Sequence, residues 1–357
     1  MAINAEVIVF FWLVFITTRR YKRNVYFRFL PYAVILIFMM IRSDYYGDGK
    51  AYREIFNYIH SFGTMEDVEP LYIWINKLLP NYGMVIVITS LFYVLAIYFV
   101  LSRMLTYEQR ELALLVMVLH PYILMIDMSA IRQSIAIALI LVGVYIANEY
   151  KSLFFIPFCL IAALFHKSAI ILLPIVFLLG KRHFTAKVKW AILCGTAFFL
   201  VAPNKLFQLI ETVLASVKLN TANYLYYLYN GNKNSGLAVA LSLIIMIFLM
   251  LCGNVVEEKK SIYVKLSILA MVFEALQGRV QQFGRIGMYF LPFLMLSLPM
   301  ILKKEPQTLE VLVPNGVVVF NKYACWLVEA CFIIVFIWKL IGFMTPQFAY
   351  QSVFTIR

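Results

Sequence analysis

Apolar residues in this chain fall in long unbroken blocks, not in stripes. Blocks cover roughly 3–18, 25–41, 83–101, 112–126, 133–147, 153–165, 168–180, 190–202, 236–252, 264–276, 287–302 and 323–341, with polar or basic turns between them. Continuous apolar runs of this kind predict helices that cross a bilayer. A membrane barrel needs strands that alternate apolar and polar residues over about ten positions, and no such alternation runs through the chain. Several blocks fall short of the ~20 residues of a full crossing. That leaves open whether their polar ends reach into the bilayer or some pairs are re-entrant. The expectation is an all-α, polytopic integral membrane protein of about twelve transmembrane or re-entrant helices, forming one domain over residues 1–357. No internal repeat of the inverted-transporter kind is visible.

Polar residues break this pattern in four places. Two are long loops, 42–82 and 203–235; within the first, 69–79 reads as a short interfacial helix ended by Pro80. The other two are short. Asp127 and Arg132 stand between two apolar blocks, and Phe165-His166-Lys167-Ser168 stands between the next two. Ionisable groups at such positions are costly unless they line a wet cavity enclosed by protein. Glu274, Glu329 and Lys339 lie inside apolar blocks. The carboxylates are functional candidates or protonated groups bonded between helices, and Lys339 reads as a side chain snorkelling to the headgroups.

Composition agrees with the pattern: 63% of the residues are hydrophobic and 14% charged, against about half and about a quarter in soluble domains. The net charge of +13 reads as orientation signals flanking apolar blocks and favours anionic lipids, not nucleic acid. Arg19, Arg20, Lys22, Arg23 and Arg28 form the densest basic cluster, which puts that loop on the cytoplasmic side. Alternation then places more than half of the 31 Lys and Arg residues in cytoplasmic loops and both termini outside. The first block has no preceding Lys or Arg and no A-x-A site after it, so it reads as a first crossing and not as a removable signal. The five cysteines sit singly in apolar blocks, as small hydrophobes do.

This topology collects the unusual residues on the outer side: Arg42, Asp44, Asp48, Tyr52, Arg53, Glu69, Asp127, Arg132, His166, Lys167, Arg279 and Arg285. An excess of Arg suits phosphate and diphosphate oxygens, which its planar fork of donors matches. A site of that kind at the membrane surface suits a lipid-linked diphosphate. The residues leave alternatives open. Arg132 can snorkel, Asp127 can cap the following helix or pair with Arg132, His166 can be a core histidine, and Arg279 with Arg285 can anchor headgroups. The Tyr-rich first loop fits either an interfacial belt or sugar recognition by aromatic faces beside carboxylates. None of His60, His120, His166 and His183 has metal-ligand spacing, and no phosphate-cradling glycine loop is present, so neither a metal nor another cofactor is expected.

The first loop carries Asp44…Tyr52…Phe56 and then Glu69-Pro70 with Asn76. Further on come Ile131-Arg132-Gln133-Ser134-Ile135-Ala136, then Phe165-His166-Lys167-Ser168-Ala169 with Leu173-Pro174, and last Arg285…Tyr289-Phe290. This ordered set, over roughly 40–300, resembles the EpsG-like branch of the Wzy polysaccharide polymerases. The resemblance implies a GT-C-like glycosyltransferase bundle in a bacterial inner membrane. It would join undecaprenyl-diphosphate-linked repeat units into O-antigen, capsule or exopolysaccharide on the outer face, with a flippase and a chain-length regulator as possible partners. His166, Glu69 and Asp44 are then the candidate bases. Arg132, Gln133, Arg279, Arg285, Tyr289, Tyr52 and Arg53 are the candidate substrate-binding residues. A lipid-linked glycan flippase and an O-antigen ligase are the alternatives.

Overall fold

The computed structural model describes residues 5–354 except 22, 25, 45, 181, 203, 206, 210, 211, 213–235, 304–308, 314, 315, 321 and 345–349. The loop expected at 203–235 therefore lies almost wholly outside the described residues, as do Lys22, Lys181 and Lys304. Each apolar block corresponds to helix. In order these are α1 (Ala5–Tyr21), α2 (Leu30–Met40), α3 (Gly49–Phe62), α4 (Pro70–Leu78), α5 (Tyr82–Met104), α6 (Tyr107–Leu119), α7 (Met125–Ser129) and α8 (Ile131–Glu149). There follow α9 (Phe155–Ala163), a 3-10 run at Lys167–Phe177, α10 (Ala186–Val201), α11 (Gly236–Cys252), α12 (Ser261–Gln277), α13 (Gln281–Met288), α14 (Leu294–Leu302) and α15 (Lys322–Phe343).

Among the described residues four helices are long and apolar enough to cross a membrane: α5, α8, α11 with the turn after it, and α15. A fifth is counted if α13 and α14, bent by 43°, form one broken span. Large apolar side chains such as Trp12, Leu95, Ile244 and Ile334 face outward, as lipid-facing surfaces require. This is a helical membrane protein. The patterning gave no hint of one feature: β1 (Leu309–Val313) pairs with β2 (Gly316–Phe320) in an antiparallel hairpin between α14 and α15. Its two Val-rich runs have the branched residues that strands favour.

The element that positions the site is α8. It is the most enclosed of the four crossing helices, and from Ile135 to Ala147 it is apolar on every face, as a central helix must be. α5 and α9 pack along it. At Gly143 a Cβ would come within 2.6 Å of Phe158 Cβ, so glycine there lets α8 and α9 approach closely.

The first polar loop folds as two helices over the end of α8. In α3, Tyr52, Phe56 and Ile59 recur at helical spacing and turn inward, while Arg53, Glu54 and Asn57 stay exposed. Pro70 starts α4 at its first helical position, and the helix ends before Pro80. Tyr72 and Asn76 are buried and Trp74 and Leu78 exposed, so a short helix forms where the sequence predicts one. Together α3, α4 and the starts of α5 and α8 enclose a second small core of Tyr52, Phe56, Ile59, Tyr72, Tyr82, Val85 and Ile131.

Contacts bring the end of α2, the start of α5, the end of α6, the start of α8 and the end of α12 to one end of the bundle. Arg42 beyond α2 donates to Ser90 Oγ at 2.8 Å, Tyr46 OH donates to the Met125 carbonyl at 3.1 Å, and Gln277 Nε2 donates to Tyr122 OH at 3.2 Å. Ser352 pairs with Arg42 and donates to Glu6 Oε1 at 2.9 Å, so the beginning of α1 and residues near 352 share that end. Arg42, expected among the outward polar groups, is instead buried and spent on Ser90 and the Met39 carbonyl.

Candidate functional site

Arg132 lies in the first turn of α8. A cation there opposes the positive end of the helix dipole and needs an anion beside it. Glu69 supplies it. Arg132 Nη1 is 2.7 Å from Glu69 Oε2 and 3.4 Å from the Asp67 carbonyl. Glu69 is the residue just before Pro70, in extended conformation, and its side chain makes no capping bond to α4; the carboxylate turns to α8 instead. Its other oxygen accepts the Lys167 backbone N–H at 3.1 Å and lies 3.5 Å from His166 Nδ1. Leu71 N–H donates to the Leu164 carbonyl at 3.1 Å, which locks α4 to the end of α9 and holds this geometry.

Three segments far apart in the chain thus converge on one carboxylate. The Glu69 side chain is 5% exposed, while those of Arg132 and His166 are 20% exposed, so the cluster is lined by protein and open on one side. Burial acts to raise the Glu69 carboxyl, but the His166 contact, the Arg132 charge and the Lys167 amide outweigh it and hold it down at about 2. Glu69 is an anion at any physiological pH. The Arg132 guanidinium also lies 5.7 Å from the Tyr52 ring centroid, within cation–π reach. Tyr52 meets Tyr72 edge to face at 5.9 Å. Burial pushes the Tyr52 phenol up, with Arg132 opposing.

The other candidate residues are placed as follows. Gln133 Nε2 donates to the Arg285 carbonyl at 2.7 Å, so it braces α8 against α13 and brings the Arg285 backbone to the residue after Arg132. The Arg285 side chain is exposed and, among the described residues, has no ion-pair partner; the same holds for Lys167 and Arg279. Arg279 sits in the turn after α12 and, among the described residues, makes no hydrogen bond or ion pair with the Glu69 cluster. Tyr289 is buried, with its hydroxyl 3.0 Å from Ser168 Oγ. Asp44 forms an ion pair with Arg53, whose guanidinium lies 5.5 Å from the Tyr82 ring centroid. It makes no hydrogen bond to Glu69, Arg132 or His166.

Asp127 departs from both roles open to it. It neither caps α8, whose cap is Ala130, nor reaches Arg132. It is buried, with Tyr93 OH 2.5 Å from its Oδ2. The bond from Tyr93 holds the carboxylate inside the bundle. Among the described residues no three of His, Cys, Asp and Glu gather as a metal site.

A family model, that of the EpsG family, matches residues 25–327. The chain belongs to the EpsG family, a group of polysaccharide polymerase-like membrane proteins. No curated protein and no solved structure matches it. The matched span holds every member of the Glu69 cluster, and EpsG membership makes this chain a glycosyltransferase-like polymerase at a coarse level.

Patterning missed a second polar cluster. Lys339 does not snorkel: its Nζ lies 2.7 Å from Glu274 Oε1, and His120 Nε2 is 3.8 Å from the same oxygen. Glu329 pairs with Lys303 at 2.5 Å. The available signal was electrostatic. A carboxylate and an ammonium inside apolar blocks are each costly alone and tolerable together.

Proposed function

We propose that this EpsG-family protein is a glycan polymerase of GT-C-like architecture. It would act on undecaprenyl-diphosphate-linked repeat units at the outer face of a bacterial inner membrane, with both termini outside. The convergence of Arg132, Glu69 and His166 at the first turn of the central helix carries this reading. Arg132, with Lys167 and Arg285, which have no ion-pair partner among the described residues, makes an electropositive rim suited to a diphosphate. Arg132 Nη1 is held by Glu69, which fixes the guanidinium in place before substrate arrives.

In the reaction, an acceptor hydroxyl oxygen attacks the anomeric carbon of the donor sugar. The bond from that carbon to the diphosphate oxygen breaks, and the diphosphate leaves with the added negative charge, which the cations stabilise. The hydroxyl proton passes to a base. A carboxylate held at about 2 is a poor base, so Glu69 is better suited to orienting than to accepting the proton. His166 faces Glu69 through Nδ1. In the tautomer protonated there, its Nε2 lone pair is free to take the proton. Asp44, held by Arg53, is the next candidate.

The test is surface glycan length in a strain carrying only the variant. Arg132→Ala and His166→Ala, present at normal levels, are expected to leave single repeat units; full polymer ladders from Arg132→Ala would sink the diphosphate role. Deletion separates the other readings: loss of a flippase leaves no repeat unit on the surface, and loss of a ligase leaves polymer on its carrier. A flippase also needs a polar path. Along α15 the two ion pairs are ten residues, roughly 15 Å, apart, with Phe332 and Phe336 buried between them.

A further inference from the structure

A cavity of about 230 Å³ opens between the end of α6 and helices α11, α12 and α15, lined by Tyr122, Ser242, Glu274, Gln277, Trp338 and Lys339 among others. It lies at the same end of the bundle as the Glu69 cluster, and α13 packs against Gln277 of its wall. Gly284 of α13 leaves room for the Gln277 amide, which would lie 2.5 Å from a Cβ there, while the next residue's carbonyl receives Gln133.

Its chemistry differs from that of the first cluster. Lys339 and Glu274 neutralise each other at 2.7 Å, so the walls carry no net charge to attract a diphosphate. The wall also carries the Tyr122 and Ser242 hydroxyls and the Gln277 amide, groups that both donate and accept hydrogen bonds. A polar wall of this kind beside an apolar ring suits a ligand that brings hydrogen bonds of its own. The hydroxyls and the amide donate and accept, the ammonium has donors to spare beyond Glu274, and the Trp338 ring offers an apolar face. A sugar ring presents the matching surface, with neighbouring hydroxyls on its edges and C–H groups on its face. The volume is below the ~300 Å³ at which pockets for drug-sized ligands begin, which suits one ring.

We infer that the Glu274–Lys339 cavity is a saccharide-binding site that holds one neutral sugar unit of the glycan beside the reacting centre. The identity of the glycan rests on the polymerase reading; the site itself is tested by binding. Gly342 lines the cavity, and a Cβ there meets nothing within 4 Å. Gly342→Leu is therefore free of a clash at Cβ and adds bulk at the cavity wall, and leucine is the better helix former.

The probe is the repeat-unit oligosaccharide freed by partial acid hydrolysis from the producing strain's surface glycan, lacking any diphosphate. It is titrated against the detergent-solubilised full chain by saturation-transfer NMR. The expected result is binding to wild type, at least tenfold weaker binding to Gly342→Leu, and unchanged binding to Arg132→Ala. If Gly342→Leu melts below wild type, Trp338→Leu, which removes the ring without adding bulk, takes its place. No binding to wild type at millimolar probe, full binding by the cavity variant, or loss of binding in Arg132→Ala would each overturn the proposal. A deletion strain that still makes full-length polymer would remove the polymerase reading alone, since binding is scored on the purified chain.

Discussion

Two carboxylate–cation clusters sit at one end of this bundle, and they differ in how far water reaches them. In the first, Glu69 is enclosed while Arg132 and His166 stay partly open, and Lys167 and Arg285 have no ion-pair partner among the described residues. In the second, Lys339 and Glu274 are 7% and 10% exposed and His120 is wholly buried. The open cluster keeps a surplus of positive charge and can receive an anion. The enclosed one is neutral, because an unbalanced charge at that depth would be costly. The same pairing rule thus yields a charged rim in one place and a neutral lining in the other.

The largest expected effect breaks the enclosed pair. Lys339→Met leaves Glu274 buried without its cation and should cost about 3–5 kcal/mol of stability, read as a lower melting temperature in detergent. The double variant Lys339→Met with Glu274→Gln should recover most of it. If the single change is neutral, the cluster is wetter than its burial indicates.

Next comes Arg132→Ala in the open cluster. Losing a preorganised donor to developing charge should slow polymerisation by roughly 10²–10³-fold, about 3–4 kcal/mol, read by glycan ladders or by polymer formed in membrane vesicles. Arg132→Lys keeps the charge but not the fork and should fall between. An Arg132→Ala protein that polymerises at the wild-type rate would reduce Arg132 to a helix anchor.

The third effect is a pH dependence. An unfolded glutamate titrates near ~4.3, whereas folded Glu69 is held at about 2. Its contribution to stability is fully present above ~4.3 and is lost as the pH falls toward 2. Melting temperatures measured over that window should fall more steeply for wild type than for Glu69→Gln. Equal slopes would mean that Glu69 is not held by Arg132, Lys167 and His166.

The smallest effect is expected at Tyr289→Phe. It removes the hydroxyl contact with Ser168 and should cost about 1 kcal/mol in thermal unfolding, with polymerisation nearly intact. A much larger loss of activity would bring Tyr289 into contact with substrate.

Much of the architecture was legible in the sequence. Apolar blocks set the helices, and Pro70 and Pro80 bracketed α4, because helix formation and proline breaks are local. The ordered polar motifs, with Arg132, Glu69 and His166 in them, pointed to the family that the match over residues 25–327 shows. The bend between α13 and α14 and the strand hairpin were not read. Each depends on packing that no local pattern reports.

The sequence by itself determined that the chain lives in a membrane and which of its polar residues are too costly to be incidental. Only the tertiary structure decided their partners. Arg132 could have met Asp127, five residues away, but α7 buries that carboxylate against Tyr93 and α4 delivers Glu69 from 63 positions distant. Lys339 looked free to reach the headgroups until α12 set Glu274 beside it. A charge in an apolar setting must find its opposite, and which opposite lies within reach is fixed by how the helices pack.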